Sequence, residues 1–341
     1  MMKRQTACSQ GHSGSRGECR EGIENMRGLT LIVVAIMVLL AGHNAALSAP
    51  AAGGADLAQR IAEAAPAKAT ASPAKPRRVL VFTLSPGYRH AATPRISRTI
   101  ELLGKKTGAY ETTITEDASF FEPQALAKFD AVIMNNNCGA YFLPPDFAKL
   151  PEDKRKEAKL REARLRESLE AFVRDGRGFV GIHSCLYTPD YADWPEYGEL
   201  IGGLVPSHPW KQKIRVLLDD PNHPLCAAFG GKGFEIHEET YQVLAPYSRE
   251  KVRVLLRLDM TSVDPAKGAR KDGDYALAWV KAYGKGRVFY TALTHFEENL
   301  ADPALLRFYL EGIQFALGDL AADTTPSAKV GRGEPAGAAK Q

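Results

Sequence analysis

Short apolar runs rich in β-formers, each closed by polar or turn residues and separated by stretches of helical spacing, constrain this chain more than any other feature. Arg78-Val79-Leu80-Val81-Phe82-Thr83 stops at Ser85-Pro86-Gly87, Phe129–Asn135 runs out into Asn135-Asn136-Asn137, and Gly178-Phe179-Val180-Gly181-Ile182 ends at His183. Near-continuous apolarity over so few residues marks a strand buried on both faces. Tyr110–Thr115, Ile214–Leu218, Val252–Leu258, Tyr275–Val280 and Arg287–Thr291 predict further strands. Between them, Thr93–Lys106 sets Ile96, Ile100 and Leu103 at helical spacing, with Thr93-Pro94 as N-cap and first helical residue. Residues 150–175 carry Leu165, Leu169, Phe172 and Val173 on a charged helix, and Pro303–Leu317 predicts a closing one. The charges of 150–175 read as a solvated face rather than a binding patch. This alternation predicts one α/β domain over residues 77–320, a mostly parallel sheet with helices on both faces.

The ends are of another kind. Leu29–Gly42 (LTLIVVAIMVLLAG) is a 14-residue run without a charge, short of the roughly 20 residues of a spanning helix. Arg27 precedes it and Ala45-Ala46-Leu47-Ser48-Ala49 follows, the layout of a secretory signal peptide. Residues 1–49 are therefore expected to be a signal peptide with an extended n-region, Met26 being the cleaner start. The protein is expected to be exported, periplasmic or extracellular, with no stable membrane insertion after cleavage; an uncleaved anchor is the alternative. His43, not Cys, follows the run, so no lipid anchor is indicated. Residues 50–76, rich in Ala, Pro and Lys, read as a linker, and residues 321–341 as a disordered tail. Beyond the leader only Cys138, Cys185 and Cys226 remain, too few for a disulfide framework. The first 48 residues hold five Lys/Arg and three Asp/Glu, so without them the net charge of +4 becomes 39 against 37, about +2. That bias is too slight to predict a nucleic-acid partner.

In open α/β sheets ligands sit beyond the carboxyl ends of the strands, so the residues just after strands carry the functional weight. Here these are Ser85-Pro86-Gly87-Tyr88-Arg89-His90, Asn135–Gly139, His183-Ser184-Cys185 and Thr294-His295-Phe296-Glu297, with His208-Pro209-Trp210 and His237-Glu238-Glu239-Thr240-Tyr241 between later strands. Of eight histidines, His90, His183, His237 and His295 occupy such positions and are expected to converge. Gly202-Gly203 and Gly230-Gly231 lack the spacing of a dinucleotide fingerprint.

The ordered series GFVGIHS, WPEYGELIGG, HPW, EETY, GDYALAW and GRVFYTALTH resembles the ThuA-like family, named for trehalose utilisation, over about residues 78–318. The resemblance implies a flavodoxin-like three-layer α/β/α sandwich, similar to class I glutamine amidotransferases. It also implies a place in carbohydrate metabolism, with processing of oxidised (3-keto) disaccharides and related glycosides. The chain departs from these patterns in two places. The amidotransferase elbow Gly-x-Cys-x-Gly is matched by Gly181-Ile182-His183-Ser184-Cys185, with His183 where the nucleophile stands, so glutaminase chemistry is not expected. The family's Asp-Glu-x-Tyr is here Glu238-Glu239-Thr240-Tyr241.

The expected catalytic residues are His183, His295 and Glu239. His183 would project from a strand-to-helix elbow beside helix N–H donors, and Glu297 could orient His295. Strand alternation puts Glu239 and Tyr241 on one face and Glu238 on the other, and the resemblance favours Glu239 as the inward group. Tyr88, Arg89, His90 and Tyr241 are candidate substrate contacts, and Trp194, Trp210 and Tyr197 candidate sugar platforms; packing is the plain reading of each aromatic. No metal site is assigned and no cofactor is predicted. His183, His237, His295 and Glu239 are nonetheless suitable ligand types for Zn²⁺, though without short-range ligand spacing.

The sequence thus predicts an exported enzyme that cleaves or modifies a (3-keto-)glycoside by imidazole and carboxylate acid–base chemistry. The alternative is a noncatalytic carbohydrate-binding protein, and a weaker third reading is a thiol enzyme using Cys185. The partner expected is a small-molecule carbohydrate; the oligomeric state is not legible.

Overall fold

A computed structural model describes residues 52–187 and 194–330; the leader, Asp190, Asp193 and the last eleven residues lie outside them. Helix α1 (Ala52–Ala64) precedes the domain proper. Then follow β1 (Arg78–Phe82), α2 (Thr93–Thr107), β2 (Glu111–Thr115), α3 (Pro123–Leu126), β3 (Ala131–Asn135), α4 (Glu152–Arg174) and β4 (Gly178–Ile182). After α5 (Pro195–Ile201) come β5 (Leu204–Leu218), β6 (Phe234–Leu244), β7 (Arg253–Leu258), β8 (Ala276–Tyr283), β9 (Gly286–Thr291), α6 (Pro303–Leu317) and the short α7 (Ser327–Val330).

One sheet of nine strands runs β2-β1-β3-β4-β9-β8-β7-β5-β6. Its first five strands pair in parallel, in the order expected of a flavodoxin-like fold, and bury their apolar residues as the continuous runs predicted. The expectation of a mostly parallel sheet needs correction, because β9-β8-β7-β5-β6 pair antiparallel and the sheet is mixed. The added half contains the long β5, whose burial alternates along much of its length as in a strand with one solvated face. β6 lies in a segment whose charged residues hid its strand character.

Helices cover both faces, as expected. Gly178 and Gly181 point to opposite sides of β4. A side chain at Gly178 would strike the Ala316 carbonyl of α6 at 2.4 Å, and one at Gly181 would meet Ile201 of α5 at 2.8 Å. α2 buries Ile96, Ile100 and Leu103, but its N-cap is Ala92, so Thr93 is the first helical residue instead of the cap. Asp302 caps α6 by accepting from the N–H groups of Ala304 and Leu305.

The expected linker and tail are partly ordered. Leu57, Ile61 and Ala65 recur every fourth residue and are buried, an apolar stripe that turns the alanine-rich segment into a docked helix. Beyond it, the backbone N–H groups of Thr70 and Ala71 donate to Gln314, and Arg77 makes a bidentate pair with Asp319. At the other end Ser327 donates its N–H to Val252 and accepts the Val254 N–H, so residues to Val330 lie along β7. Among the described residues no helix is long and apolar enough to cross a membrane.

Candidate functional site

β4 delivers His183 directly beyond its carboxyl end. The register that pairs Ile182 with Thr291 of β9 sets His183 beside Ala292. His183 has φ 52, a left-handed conformation that a non-glycine residue adopts at a cost of about 1–3 kcal/mol. The sharp turn continues as a 3-10 turn (His183–Leu186), not the helix expected after the elbow, so no helix N-terminus supplies donors here. The His183 ring is fully buried. Its Nδ1–H donates to the Ala292 carbonyl at 2.7 Å, leaving Nε2 to accept from the Tyr241 hydroxyl at 2.8 Å. Burial pushes the His183 pKa down and outweighs the pull of Glu239 in the other direction.

His295 follows Thr294, a β-branched residue at φ 80 and so a second strained position. Glu238 holds this turn. Its Oε1 accepts the N–H groups of His295 (2.8 Å) and Glu239 (3.0 Å), and its Oε2 accepts those of Thr294 (2.6 Å) and the Asn299 amide (3.1 Å). Burial raises the Glu238 pKa to about 8 against these four donors. The carboxylate beside His295 is not Glu297, which faces Arg95 at 3.6 Å, but Glu239, whose Oε2 stands 3.2 Å from His295 Nδ1.

Glu239 and Tyr241 share a face of β6, as alternation requires. Register shifts in the β5–β6 pairing between Leu204 and Trp210 mark bulges, which bend a strand. The ribbon brings Glu239 and Tyr241 to the carboxyl ends of β4 and β9. Glu239 Oε2 lies 3.4 Å from His183 Nε2, and Oε1 lies 3.5 Å from His208 Nδ1 and 3.9 Å from Lys211 Nζ. Burial pushes the Glu239 carboxyl up, but His183 and His295 outweigh it and hold it well below the usual carboxylate range. His183 Nε2 and His295 Nδ1 are 3.1 Å apart.

His90, from the loop after β1, closes the group. Its ring stands edge-on to those of His183 and His295, at centroid distances of 4.9 and 5.4 Å, and its Nδ1 lies 3.3 Å from Ser184 Oγ. Burial, then His183 and His295, lower its pKa to about 3. One nitrogen or oxygen from each of His90, His183, Glu239 and His295 lies within 4.8 Å of the others, the arrangement of a possible metal-ligand set. The structure thus puts His90 where the sequence suggested His237, which is exposed and stacks on Phe296 at 4.3 Å.

A cavity of about 740 Å³ opens onto this group, lined among others by Tyr88, His90, His208, Lys211, Tyr241 and His295. That volume suits a small molecule. Tyr88 is 63% exposed at its edge. Arg89 turns away, ion-paired with Glu116 in a neighbouring cleft. The expected platforms are elsewhere. Trp194 is buried and donates to Glu170, Trp210 is buried and donates to the Asp264 carbonyl, and Tyr197 donates to the Cys185 carbonyl. Cys185 is fully buried, and burial pushes its thiol pKa up, which opposes a thiolate nucleophile. His208 lies in a stretch that the sequence marks without giving it a role, and Lys211 is not among the expected site residues. Lys211 stands opposite Glu239 in the ladder, a relation that only strand register reveals.

These features define an α/β sandwich with a flavodoxin-like parallel half, whose elbow carries an imidazole in a histidine–carboxylate centre. The ThuA family profile (trehalose utilisation) matches residues 78–316, and the chain belongs to that family. Two solved ThuA-like proteins share the fold. One, from Bacteroides uniformis, is 22% identical with a TM-score of 0.55, over 72% of this chain and 94% of its own. The other, from Parabacteroides merdae, is 17% identical with a TM-score of 0.51, over 73% and 93%. Comparison with curated proteins yields no match.

Proposed function

We propose that this chain is an exported enzyme of carbohydrate metabolism that cleaves or modifies a 3-keto-glycoside, with the His183–Glu239–His295 centre performing the proton transfers. The observation that carries this reading is the meeting of three groups from separate elements, with contacts of 3.1 to 3.4 Å, beside a cavity of small-molecule size. Membership of the trehalose-utilisation family supports a carbohydrate as substrate.

A ketone at C3 acidifies the C2–H bond of a glycoside. A base of the centre takes that proton, the C2 electron pair forms a C1=C2 bond, and the glycosidic oxygen leaves C1 with a proton from an acid on the other side. Addition of water to the enone completes a net hydrolysis without an oxocarbenium ion. Glu239, kept ionised and in contact with both imidazoles, is suited to stabilise the imidazolium that carries the proton. Incubation with 3-keto and unoxidised disaccharides, read by mass spectrometry, tests the reading. Turnover of the keto sugar alone is expected; binding of either sugar without conversion would replace the enzyme with a binding protein.

A further inference from the structure

His183 Nε2, His295 Nδ1 and Glu239 Oε2 form a triangle with edges of 3.1, 3.2 and 3.4 Å. Counting protons leaves this triangle short. His183 Nδ1 faces a carbonyl that only accepts, so that nitrogen holds the ring proton of a neutral imidazole, and Nε2 has one lone pair, which an ion would take in place of the Tyr241 hydroxyl at 2.8 Å. An ionised Glu239 also only accepts. A proton on His295 Nδ1 is then the one available for three edges, and the His183–Glu239 edge sets a lone pair against a carboxylate oxygen. A cation among the donors removes this conflict. Donors bound 2.0–2.1 Å from a tetrahedral ion stand about 3.3 Å apart, which matches the triangle. The His183 Nδ1–H bond to a backbone carbonyl also orients the ring as metal-binding histidines are oriented.

We infer that His90, His183, Glu239 and His295 bind a divalent first-row transition-metal ion, Zn²⁺ being the ion these donors suit first. Such an ion supplies Lewis acidity toward a substrate carbonyl. The site itself stands on donor geometry; only its catalytic role rests on the enzymatic reading above. It changes one assignment there. With the lone pairs of His183 and His295 committed, His208, 3.5 Å from Glu239 and facing the cavity, becomes the proton carrier.

The full chain, purified without added metal, is analysed for metal content, then stripped with chelator and titrated calorimetrically with Zn²⁺, Mn²⁺ and Co²⁺. One ion per chain is expected, with binding weakened at least about 100-fold in His295→Ala and Glu239→Gln and unchanged in His237→Ala. No saturable one-to-one binding of any of the three ions, or unaltered affinity in the two ligand variants, overturns the site. Should those variants not fold, the visible spectrum of the Co²⁺-loaded wild type decides: bands of a four- or five-coordinate imidazole site support it, and the spectrum of hydrated Co²⁺ refutes it. Turnover of keto sugar by metal-free protein removes the ion's catalytic role and keeps the enzyme; stoichiometric metal with no turnover keeps the site and removes the enzyme.

Discussion

Glu238 and Glu239 are adjacent on β6 and send their carboxylates to opposite sides, one to hold the backbone of the 294–295 turn and the other to meet the rings of His183 and His295. Strand alternation alone produces this division of labour. Both histidine-bearing turns are strained, at His183 and at Thr294, and such strain persists only where surrounding contacts over-determine it. Glu238 supplies those contacts at the second turn.

Replacing Glu238 with Ala removes the acceptor from three buried N–H groups. A stability loss of about 3 kcal/mol or more is expected, at 1–3 kcal/mol for each orphaned group. Glu238→Gln retains one accepting oxygen and should fold, with a stability loss smaller than that of Glu238→Ala because only the donors of the other oxygen lose their acceptor. It should lower kcat more than it raises KM, because His295 moves while the substrate cavity remains. A Glu238→Gln protein with unaltered kcat would mean that the turn holds itself.

His183→Ala is expected to lower turnover of the keto sugar by at least about 100-fold, whether its ring moves a proton or holds the ion, while circular dichroism shows a folded chain. Tyr241→Phe keeps the ring and loses one hydrogen bond to His183, which calls for roughly 1 kcal/mol of stability and a smaller kinetic effect. Equal kinetic losses in the two variants would move the tyrosine hydroxyl into the reaction.

His208→Ala and His237→Ala separate cavity from surface. The first should reduce turnover and leave Zn²⁺ affinity intact. The second should change neither turnover nor, beyond about 0.5 kcal/mol, stability. Parallel losses in both would show that the cavity does not hold the substrate.

Away from the site, Arg249 donates to Asp219 through both terminal nitrogens at 2.8 Å and to Asp274 through Nε at 2.9 Å. Both carboxylates are buried. Arg249→Met leaves Asp219 with Arg257 at 3.1 Å and Asp274 with the Tyr247 hydroxyl at 2.7 Å, so a loss of about 3 kcal/mol, the lower end for breaking a buried pair, is expected in a denaturant titration. A loss below about 1 kcal/mol would show that the carboxylates reach water or take up protons at little cost.

Lys281 is buried with its ammonium donating to the Glu199 carbonyl. Burial lowers its pKa to about 8, the Glu199 carboxylate opposing and Lys251 adding to the shift. The unfolded chain therefore binds more protons than the folded one between pH 8 and about 10.4. The cost of the buried charge is fully present below pH 8 and is relieved as pH rises through that window, by on the order of 2–3 kcal/mol. The stability of wild type relative to Lys281→Met should rise by that amount from pH 8 to 10; a flat difference would show that water reaches the ammonium.

Much of this molecule was legible before any coordinates. Apolar runs such as Val79–Phe82 and Phe179–Ile182 marked buried strands because a strand covered on both faces tolerates little polarity. Alternation set Glu239 and Tyr241 together, and position after a strand singled out His90, His183 and His295. The alanine-rich segment before β1 misled because its spaced Leu57, Ile61 and Ala65 were outweighed by composition. Trp194 and Trp210 misled because an aromatic ring serves a core as well as a sugar.

The sequence by itself determined the strands of the parallel half, the opposition of Glu238 to Glu239 and Tyr241 and the replacement of a nucleophilic cysteine by His183, since these follow from local periodicity and residue chemistry. Only the tertiary structure decided that His90 rather than His237 joins the centre, that Glu239 rather than Glu297 meets His295, and that Glu238 clamps a turn more than fifty residues away. Those outcomes depend on strand register and on bulges in the β5–β6 ribbon, where a shift of a single residue exchanges inward and outward side chains.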